Sequence, residues 1–98
     1  MIRHTVAFRL HHPEGSPEEA AFLADGRATL TAIPGVEDFV VFRQVSAKSA
    51  HRFQFAMTFA HQDAYDVYDA HPEHRRFVET RWKVEVAAFD ELDLVPLD

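Results

Sequence analysis

The densest group of side chains that could take part in chemistry lies between residues 65 and 74, which contain two tyrosines and two histidines. A histidine titrates near neutral pH, so His74 can act as a general base that removes a proton next to a carbonyl group. Tyr68, or His4 from the N-terminal strand, can then hydrogen-bond the enolate oxygen that develops. The alternative is that His74 satisfies a buried backbone group and performs no chemistry.

His71 has a different predicted role, because it directly precedes Pro72. A side chain at that position can cap a new helix by accepting one of its unpaired N–H groups. A metal site made by His71, His74 and His4 is the competing interpretation, since residues three apart share a helical face. The flanking carboxylates of known zinc motifs are missing, and Pro72 breaks the helix between the two histidines. We therefore expect neither a bound metal nor a cofactor.

Composition restricts the class of protein. The formal net charge of −6 argues against a nucleic-acid partner, which a basic surface normally accompanies. The absence of cysteine excludes disulfides, thiolate nucleophiles and Cys-type zinc sites. No apolar run approaches the roughly 20 residues of a membrane helix, and the N-terminus lacks the apolar region of a signal peptide. We expect a single domain over residues 1–98, no membrane association and a cytoplasmic location.

Residues 2–10 alternate between apolar and polar side chains, which predicts a strand. His4 shares the face of large apolar residues, so it should point into a core or a pocket. Ser16, Pro17 and Glu19 then form a helix start with a capping box. The helix should end near residue 32, before Pro34 and Gly35. Gly26 in its interior indicates that another element packs close to it.

The second half of the chain reads as a hairpin, two consecutive helices and a last strand. Residues 36–46 and 52–59 alternate as strands, joined by a turn at 47–50. Residues 36–46 are apolar on both faces, and a chain this small has little left to cover the second face. This is the first sign of a partner subunit. Helical spacing begins at Asp63, restarts at Pro72, and gives way to a predicted strand over 84–95.

The resulting order, β-α-β-β-α-β, predicts an α+β fold of the ferredoxin-like type, with an antiparallel four-stranded sheet. With this order, the chain resembles the stress-responsive α/β-barrel family, Dabb. The matching segments follow in sequence order and span almost the whole chain. They are residues 2–8 (Ile-Arg-His-Thr-Val-Ala-Phe), 33–36 (Ile-Pro-Gly-Val), 56–59 (Ala-Met-Thr-Phe), 71–74 (His-Pro-Glu-His) and 77–79 (Phe-Val-Glu).

The resemblance implies a homodimer in which two sheets close into a dimeric α+β barrel with the helices outside. A plant branch of the family consists of polyketide cyclases that perform an aldol condensation. Their functional residues correspond to His4 and His74, and a tyrosine of that branch matches Tyr68. A second pocket tyrosine of that branch would fall near Gly26, where this chain has no side chain.

Together these patterns predict a small apolar pocket between the sheet and the helices, with His74, His4 and Tyr68 as its polar and candidate catalytic groups. If the protein is an enzyme, we expect cofactor-free cyclase- or lyase-type chemistry on a carbonyl compound. The alternatives are a stress-response protein that binds a small molecule without catalysis, and a monooxygenase-like member of the same barrel superfamily. The predicted ligand-binding residues are Phe8, Leu23, Leu30, Phe55, His71, Phe77 and Trp82.

Overall fold

One antiparallel sheet forms a layer of the computed structural model, which describes residues 1–98. Three helices, numbered α1 to α3, cover one face of this sheet. The first and third strands are central, so the predicted ferredoxin-like topology is confirmed. The elements in chain order are β1 (Ile2–Leu10), α1 (Pro17–Thr31), β2 (Glu37–Arg43), β3 (Phe53–Phe59), α2 (Gln62–Ala70), α3 (Pro72–Phe77) and β4 (Val86–Leu94), and the strands lie in the order β2-β3-β1-β4.

Strand β1 holds the first candidate residue in the interior. Its antiparallel register pairs His4 with Met57 and Phe8 with Phe53 on β3. Since successive side chains point to opposite faces, His4 and Phe8 share the face that the helices cover. Both are buried, with 5% of His4 and none of Phe8 exposed. His4 therefore points inward, as the alternation predicts.

Helix α1 begins as its sequence indicates, with one difference. The Ser16 hydroxyl accepts a hydrogen bond from the Glu19 N–H at 3.2 Å. In the predicted capping box the Glu19 carboxylate would return to Ser16, but it accepts from the Gly15 N–H instead, at 3.0 Å. Gly26 lies against the sheet, where a Cβ atom would be 2.7 Å from the ring of Phe55. The close approach expected at this glycine is present.

Strand β2 is shorter than the predicted 36–46, because both of its ends are interrupted. Near its start the pairing with β3 shifts between Glu37 and Val40, and Asp38 adopts a φ of 50°. At its end the Gln44 side chain accepts from the Ser46 N–H and donates to the His51 carbonyl at 2.6 Å. The Gln44 N–H still donates to the Arg52 carbonyl at 2.8 Å, and beyond that bond these side-chain hydrogen bonds form the loop before β3.

The break between α2 and α3 lies at His71, whose backbone is extended (ψ 136°). Its Nδ1 accepts a hydrogen bond from the Glu73 N–H at 3.1 Å, and Pro72 takes the first helical position. Beyond Phe77 the helix continues through a π-helical turn (Val78–Trp82) and a final α-helical turn (Lys83–Glu85).

The predicted strand start at residue 84 is therefore wrong. Val84 lies in the final helical turn, and β4 begins only at Val86. The period-two alternation of Val84 and Val86 suggested a strand, but the helical hydrogen bonding extends to Glu85. At the start of β4, the pairing of β1 with β4 shifts by one residue between Arg9 and Leu10.

That shift decides which side chains of β4 face the helices. After it, Phe8 pairs with Phe89, and His4 pairs with Asp93. Directly paired residues project from the same face, so Phe89, Glu91 and Asp93 lie on the helix side of the sheet. The apolar residues of the same strand, Leu92 and Leu94, project from the other face.

An aromatic core joins the sheet to the helices. Phe8 packs edge to face on Phe55 and on Trp82, with ring centroids 4.8 Å and 5.0 Å away. Phe22 of α1 stacks parallel to Phe55 at 6.3 Å and contacts Phe77 at 5.5 Å. These rings bind α1 and the end of α3 to the same part of the sheet, which fixes the wall of the site described below.

The opposite face of the sheet has no cover within the chain, and we refer to it as the open face. It carries Val40, Phe42, Leu92 and Leu94, of which Phe42 is 46%, Leu92 60% and Leu94 48% exposed. The other face of β2 packs on the core through Phe39 and Val41. The two-sided apolar pattern of β2 is therefore explained on one side only.

Candidate functional site

A cavity of about 280 Å³ lies between the helix side of the sheet and the α3 segment. Its walls are mainly apolar and aromatic, as is usual for a small-molecule site. The ionisable side chains around it come from β1, α2, α3, the following helical turn and β4. The lining residues are His4, Val6, Leu30, Phe55, Met57, Tyr68, His74, Phe77, Val78, Trp82, Lys83, Phe89 and Glu91.

His4 is held from one side by two residues far away in the sequence. Its Nδ1 lies 2.5 Å from the Asp93 Oδ1. Because a carboxylate only accepts, Nδ1 is the donor of this bond, and Nε2 has no partner within the protein. The Tyr65 hydroxyl lies 3.4 Å from Nδ1 and is hydrogen-bonded to the same carboxylate. Asp93 and Tyr65 thus fix the tautomer and the orientation of His4.

His74 is oriented by the break between the two helices. Its Nδ1 lies 3.0 Å from the carbonyl oxygen of Asp69, at the end of α2. A carbonyl also only accepts, so His74 donates through Nδ1, and its Nε2 has no partner within the protein. Burial lowers the pKa of His74, against a partial opposing effect of the Asp69 hydrogen bond and charge. The imidazole is therefore neutral at pH 7.

Tyr68 connects the two histidines. It is 2% exposed, and its ring centroid lies 4.5 Å from that of His74 and 6.0 Å from that of His4. Burial raises the pKa of the Tyr68 hydroxyl, and the neighbouring Tyr65 and carboxylates raise it further. Tyr68 therefore remains a neutral hydrogen-bond donor over the physiological pH range.

The candidate site residues inferred from the sequence fall into two groups. The three polar candidates, His4, Tyr68 and His74, all line the cavity, as do four of the predicted apolar residues: Leu30, Phe55, Phe77 and Trp82. The remaining three predicted ligand-binding residues do not line it.

Each of these three residues has another place in the fold. Phe8 is entirely buried in the aromatic core beneath the cavity. Leu23 lines a separate groove between α1 and β2, because it projects from α1 away from the cavity. The His71 ring is occupied as the cap of α3. These three residues therefore lie outside the cavity lining, and their part in ligand binding stays a prediction.

Other residues of the site were not found from the sequence. Tyr65 lies one helical turn from Tyr68 and belongs to the same dense segment, so its proximity could have been noticed. Asp93 and Glu91 lie in a strand whose apolar alternation drew attention to Leu92 and Leu94 instead. Only the register of β4 against β1 reveals that these carboxylates face the helices.

The three histidines considered for a metal site do not form one. His71 caps a helix, while His4 and His74 use their Nδ1 atoms on protein acceptors. No three of the histidine, aspartate and glutamate side chains are grouped so that they could hold a metal ion. None of the helices has the length and apolar character to cross a membrane.

The fold and the site define a ferredoxin-like α+β domain with an apolar cavity beneath its helices. The chain belongs to the Dabb family, described as the stress responsive A/B barrel domain, whose model matches residues 2–94. A solved Dabb family protein with a ferredoxin-like fold, from Mesorhizobium loti, is 49% identical. Its TM-score is 0.98, and the match covers 99% of this chain and 97% of that chain. The resemblance to Dabb proteins is confirmed.

More distant structures share the fold alone. The hydroxynitrile lyase from Passiflora edulis is 13% identical with a TM-score of 0.83, over 99% of this chain and 94% of that chain. A dimeric ferredoxin-like protein from Thermobifida fusca is 18% identical with a TM-score of 0.76, over 97% and 90% of the two chains. The search of curated proteins gave no match.

Proposed function

We propose that this protein is a cofactor-free enzyme that transfers a proton next to the carbonyl group of a small apolar compound, in cyclase- or lyase-type chemistry. The observation that carries the proposal is the hydrogen bond from His74 Nδ1 to the Asp69 carbonyl at 3.0 Å. It leaves the basic Nε2 free on a residue that lines an apolar cavity. The lowered pKa keeps this nitrogen unprotonated at neutral pH, as a general base requires.

The proposed step is balanced within the cavity. His74 Nε2 takes a proton from the carbon next to the carbonyl, and the electron pair of that C–H bond moves into the enolate. The enolate oxygen accepts a hydrogen bond from the Tyr68 hydroxyl, which the raised pKa keeps protonated. His4, held by Asp93, orients the substrate from the sheet side. The enolate carbon then attacks an electrophile or regains the proton.

The surroundings favour this chemistry over simple solvation of the histidines. Aromatic side chains from the sheet and from α3 line the cavity, including Phe55, Phe77 and Trp82. Such walls exclude water, and hydrogen bonds to a developing charge are stronger where water is excluded. The enzyme activity named for the Passiflora edulis lyase occurs on this fold. At that identity it supports the fold as a scaffold and assigns no substrate here.

The test is deuterium exchange next to the carbonyl, followed by proton NMR with a panel of β-keto and polyketide-like compounds. We expect His74→Ala to lower the exchange rate by roughly 100-fold or more, the usual contribution of a general base. His11→Ala is the matched control, because His11 is an exposed loop histidine outside the cavity. Equal slow rates for the wild-type protein and His74→Ala would sink the catalytic assignment.

That outcome would leave two other functions to separate. If the panel binds without exchange, the cavity holds an apolar ligand and the protein is a non-catalytic binding protein. Oxygen uptake with phenolic substrates tests the monooxygenase-like alternative directly. No contact of the described residues favours that alternative over proton transfer, whereas the free Nε2 of His74 favours the base.

We also propose that the protein is a homodimer that covers the open face of its sheet with a second copy. Phe42, Leu92 and Leu94 are about half exposed on this face, which is a substantial apolar surface for so small a chain. The Thermobifida fusca protein of the same fold is described as dimeric. Leu92 of β4 and Val40 of β2 lie on one row of paired residues across the sheet, with the small, buried Thr5 and Ala56 between them.

Light scattering at micromolar concentration tests this assembly. We expect a mass of twice 11.2 kDa for the wild-type chain. Leu92→Glu should shift the mass toward the monomer, because it would bury a charge in the interface. Val67→Glu provides a control, since Val67 is equally exposed (56%) on α2, away from the open face. A wild-type monomer would overturn the proposal.

A further inference from the structure

The charges around the cavity are not balanced. Lys83 is the one cationic side chain of lysine or arginine type in the lining, and its Nζ is bonded to Glu79 at 2.6 Å. His74 is neutral, and His4 is bonded to Asp93 at 2.5 Å. Glu91 differs from all of them, because its carboxylate makes no hydrogen bond or ion pair within the chain. It contributes an unpaired negative charge to the β4 side of the cavity.

The position of Glu91 is fixed by the sheet. It pairs with Val6 of β1, so it projects from the helix side between Phe89 and Asp93. Its charge reaches the catalytic candidates, because it raises the pKa of Tyr68 and opposes the lowering of the pKa of His74. An unpaired carboxylate beside aromatic walls attracts a donor group and repels an anion.

We propose that Glu91 is a specificity-determining residue that selects ring-containing carbonyl ligands with a protonated amine or a hydroxyl group, and that it excludes the corresponding carboxylates. The carbonyl end of the ligand lies near His74, which rests on the proposed function. The donor end lies against Glu91. The ammonium compound binds best, because it supplies both a hydrogen bond and an opposite charge. The acidic side of the cavity offers no free cation for a carboxylate.

Equilibrium binding of three matched probes tests this selection. The probes are 4-(aminomethyl)acetophenone, 4-(hydroxymethyl)acetophenone and 4-acetylbenzoate, which share the ring and the carbonyl group and differ in the charge at the other end. We expect the wild-type protein to bind them in that order, by NMR titration at low salt. Raising the salt concentration should reduce the difference between the charged probes, because Glu91 is exposed.

The Glu91→Gln variant should lower the ratio between the Kd values of the carboxylate and the amine about tenfold. Loss of the attraction and of the repulsion each contributes about threefold at an exposed site. Asp90→Asn is the matched control. It removes the same charge from the neighbouring position of β4, which projects from the open face toward His51. It should change the ratio less than about twofold.

Three results would overturn the proposal. The first is that the ratio of the Kd values for the carboxylate and the amine is the same in Glu91→Gln as in the wild-type protein. The second is that the wild-type protein binds the carboxylate best. The third is that it binds none of the probes at millimolar concentration. A retained melting temperature for Glu91→Gln, which loses no contact, shows that the variant is folded. Binding is measured without turnover, so a failed proton-exchange assay would leave charge selection standing. A lost charge selection would likewise leave His74 as the base.

Discussion

Two polar clusters of this protein contain histidines and carboxylates, but they differ in how their hydrogen-bonding groups are used. The pocket cluster consists of His4, Tyr68 and His74 with their partners. The ion network lies at the other end of the sheet and consists of four residues. These are His12, Asp25, Arg81 and Glu85.

In the ion network, charges pair with one another. Glu85 accepts from Arg81 Nε at 2.6 Å and from His12 Nε2 at 2.7 Å, and Arg81 also reaches Asp25 at 3.3 Å. These bonds join the loop after β1, α1 and the last helical turn. In the pocket cluster, each imidazole bonds to the protein through Nδ1 and keeps Nε2 free beside a cavity. Paired groups stabilise the fold, whereas free groups beside a cavity can act on a ligand.

The largest expected effect is on the free energy of unfolding, and it concerns the ion network. Arg81→Ala should lower the free energy of unfolding by about 2 kcal/mol, because it leaves Glu85 without its strongest partner at a mostly buried site. The Glu85 side chain is 14% exposed and that of Arg81 27%. Urea denaturation measures the change. Arg76→Ala is the control, since its pair with Glu73 is about half exposed and should contribute under about 0.5 kcal/mol. Equal effects of the two variants would contradict this view of the network.

A smaller effect is expected in α1, which contributes to the ion network and also packs against the cavity wall. Asp25 belongs to the ion network, while Gly26 faces Phe55 and Phe77 of the cavity wall. Gly26→Ala gains about 1 kcal/mol of helix propensity but forces the buried Phe55 ring to move, at about 2 kcal/mol. The net destabilisation is about 1 kcal/mol.

The same variant should also weaken binding of the acetophenone probes, because the displaced ring narrows the cavity. Ala28→Gly, at an exposed position of the same helix, costs helix propensity without touching the wall. It should leave binding unchanged. If both variants bind the probes equally, Gly26 does not control the shape of the cavity.

The smallest expected effects are on the pH dependence of stability, which differs between the two clusters. Burial lowers the pKa of His74 in the folded protein. As the pH falls, the imidazole is therefore protonated in the unfolded chain before it is protonated in the folded protein. Stability is then lost as the pH falls below about 6.5, the ordinary pKa of histidine, and the loss levels off below the lowered pKa.

For Glu85, burial raises the pKa, but hydrogen bonds from Arg81 and His12 outweigh the effect of burial, so the net pKa is lowered. Its stabilisation is present above the ordinary pKa of 4.5 and is lost as the pH falls through the lowered value.

Melting temperatures between about pH 2 and pH 8 distinguish these two contributions. We expect His74→Gln to flatten the loss of stability just below pH 6.5 and to leave the lower range unchanged. Glu85→Gln should lower stability at neutral pH and flatten the loss below pH 4.5. If His74→Gln changes only the range below pH 4.5, the imidazole is not kept neutral by burial.

The sequence by itself determined the features that depend on local spacing. Period-two alternation located β1 and placed His4 on its inner face, and the Ser16-Pro17 pair located the start of α1. Pro72 predicted the break that orients His74. These features could be predicted because side-chain direction within one element follows from its repeat. The family resemblance added the prediction that His4 and His74, which lie far apart in the sequence, belong to one site.

Only the tertiary structure decided which distant residues meet those positions. Asp93 reaches His4 across 89 positions of sequence, and Glu91 faces the cavity, because a register shift near the end of β1 sets the faces of β4. A shift of one residue would send both carboxylates to the open face. The helix likewise continues to Glu85, where a strand was predicted, and this places Glu85 one helical turn from Arg81 in the ion network. Register and helix length depend on the packing of the whole chain, so no local pattern encodes them.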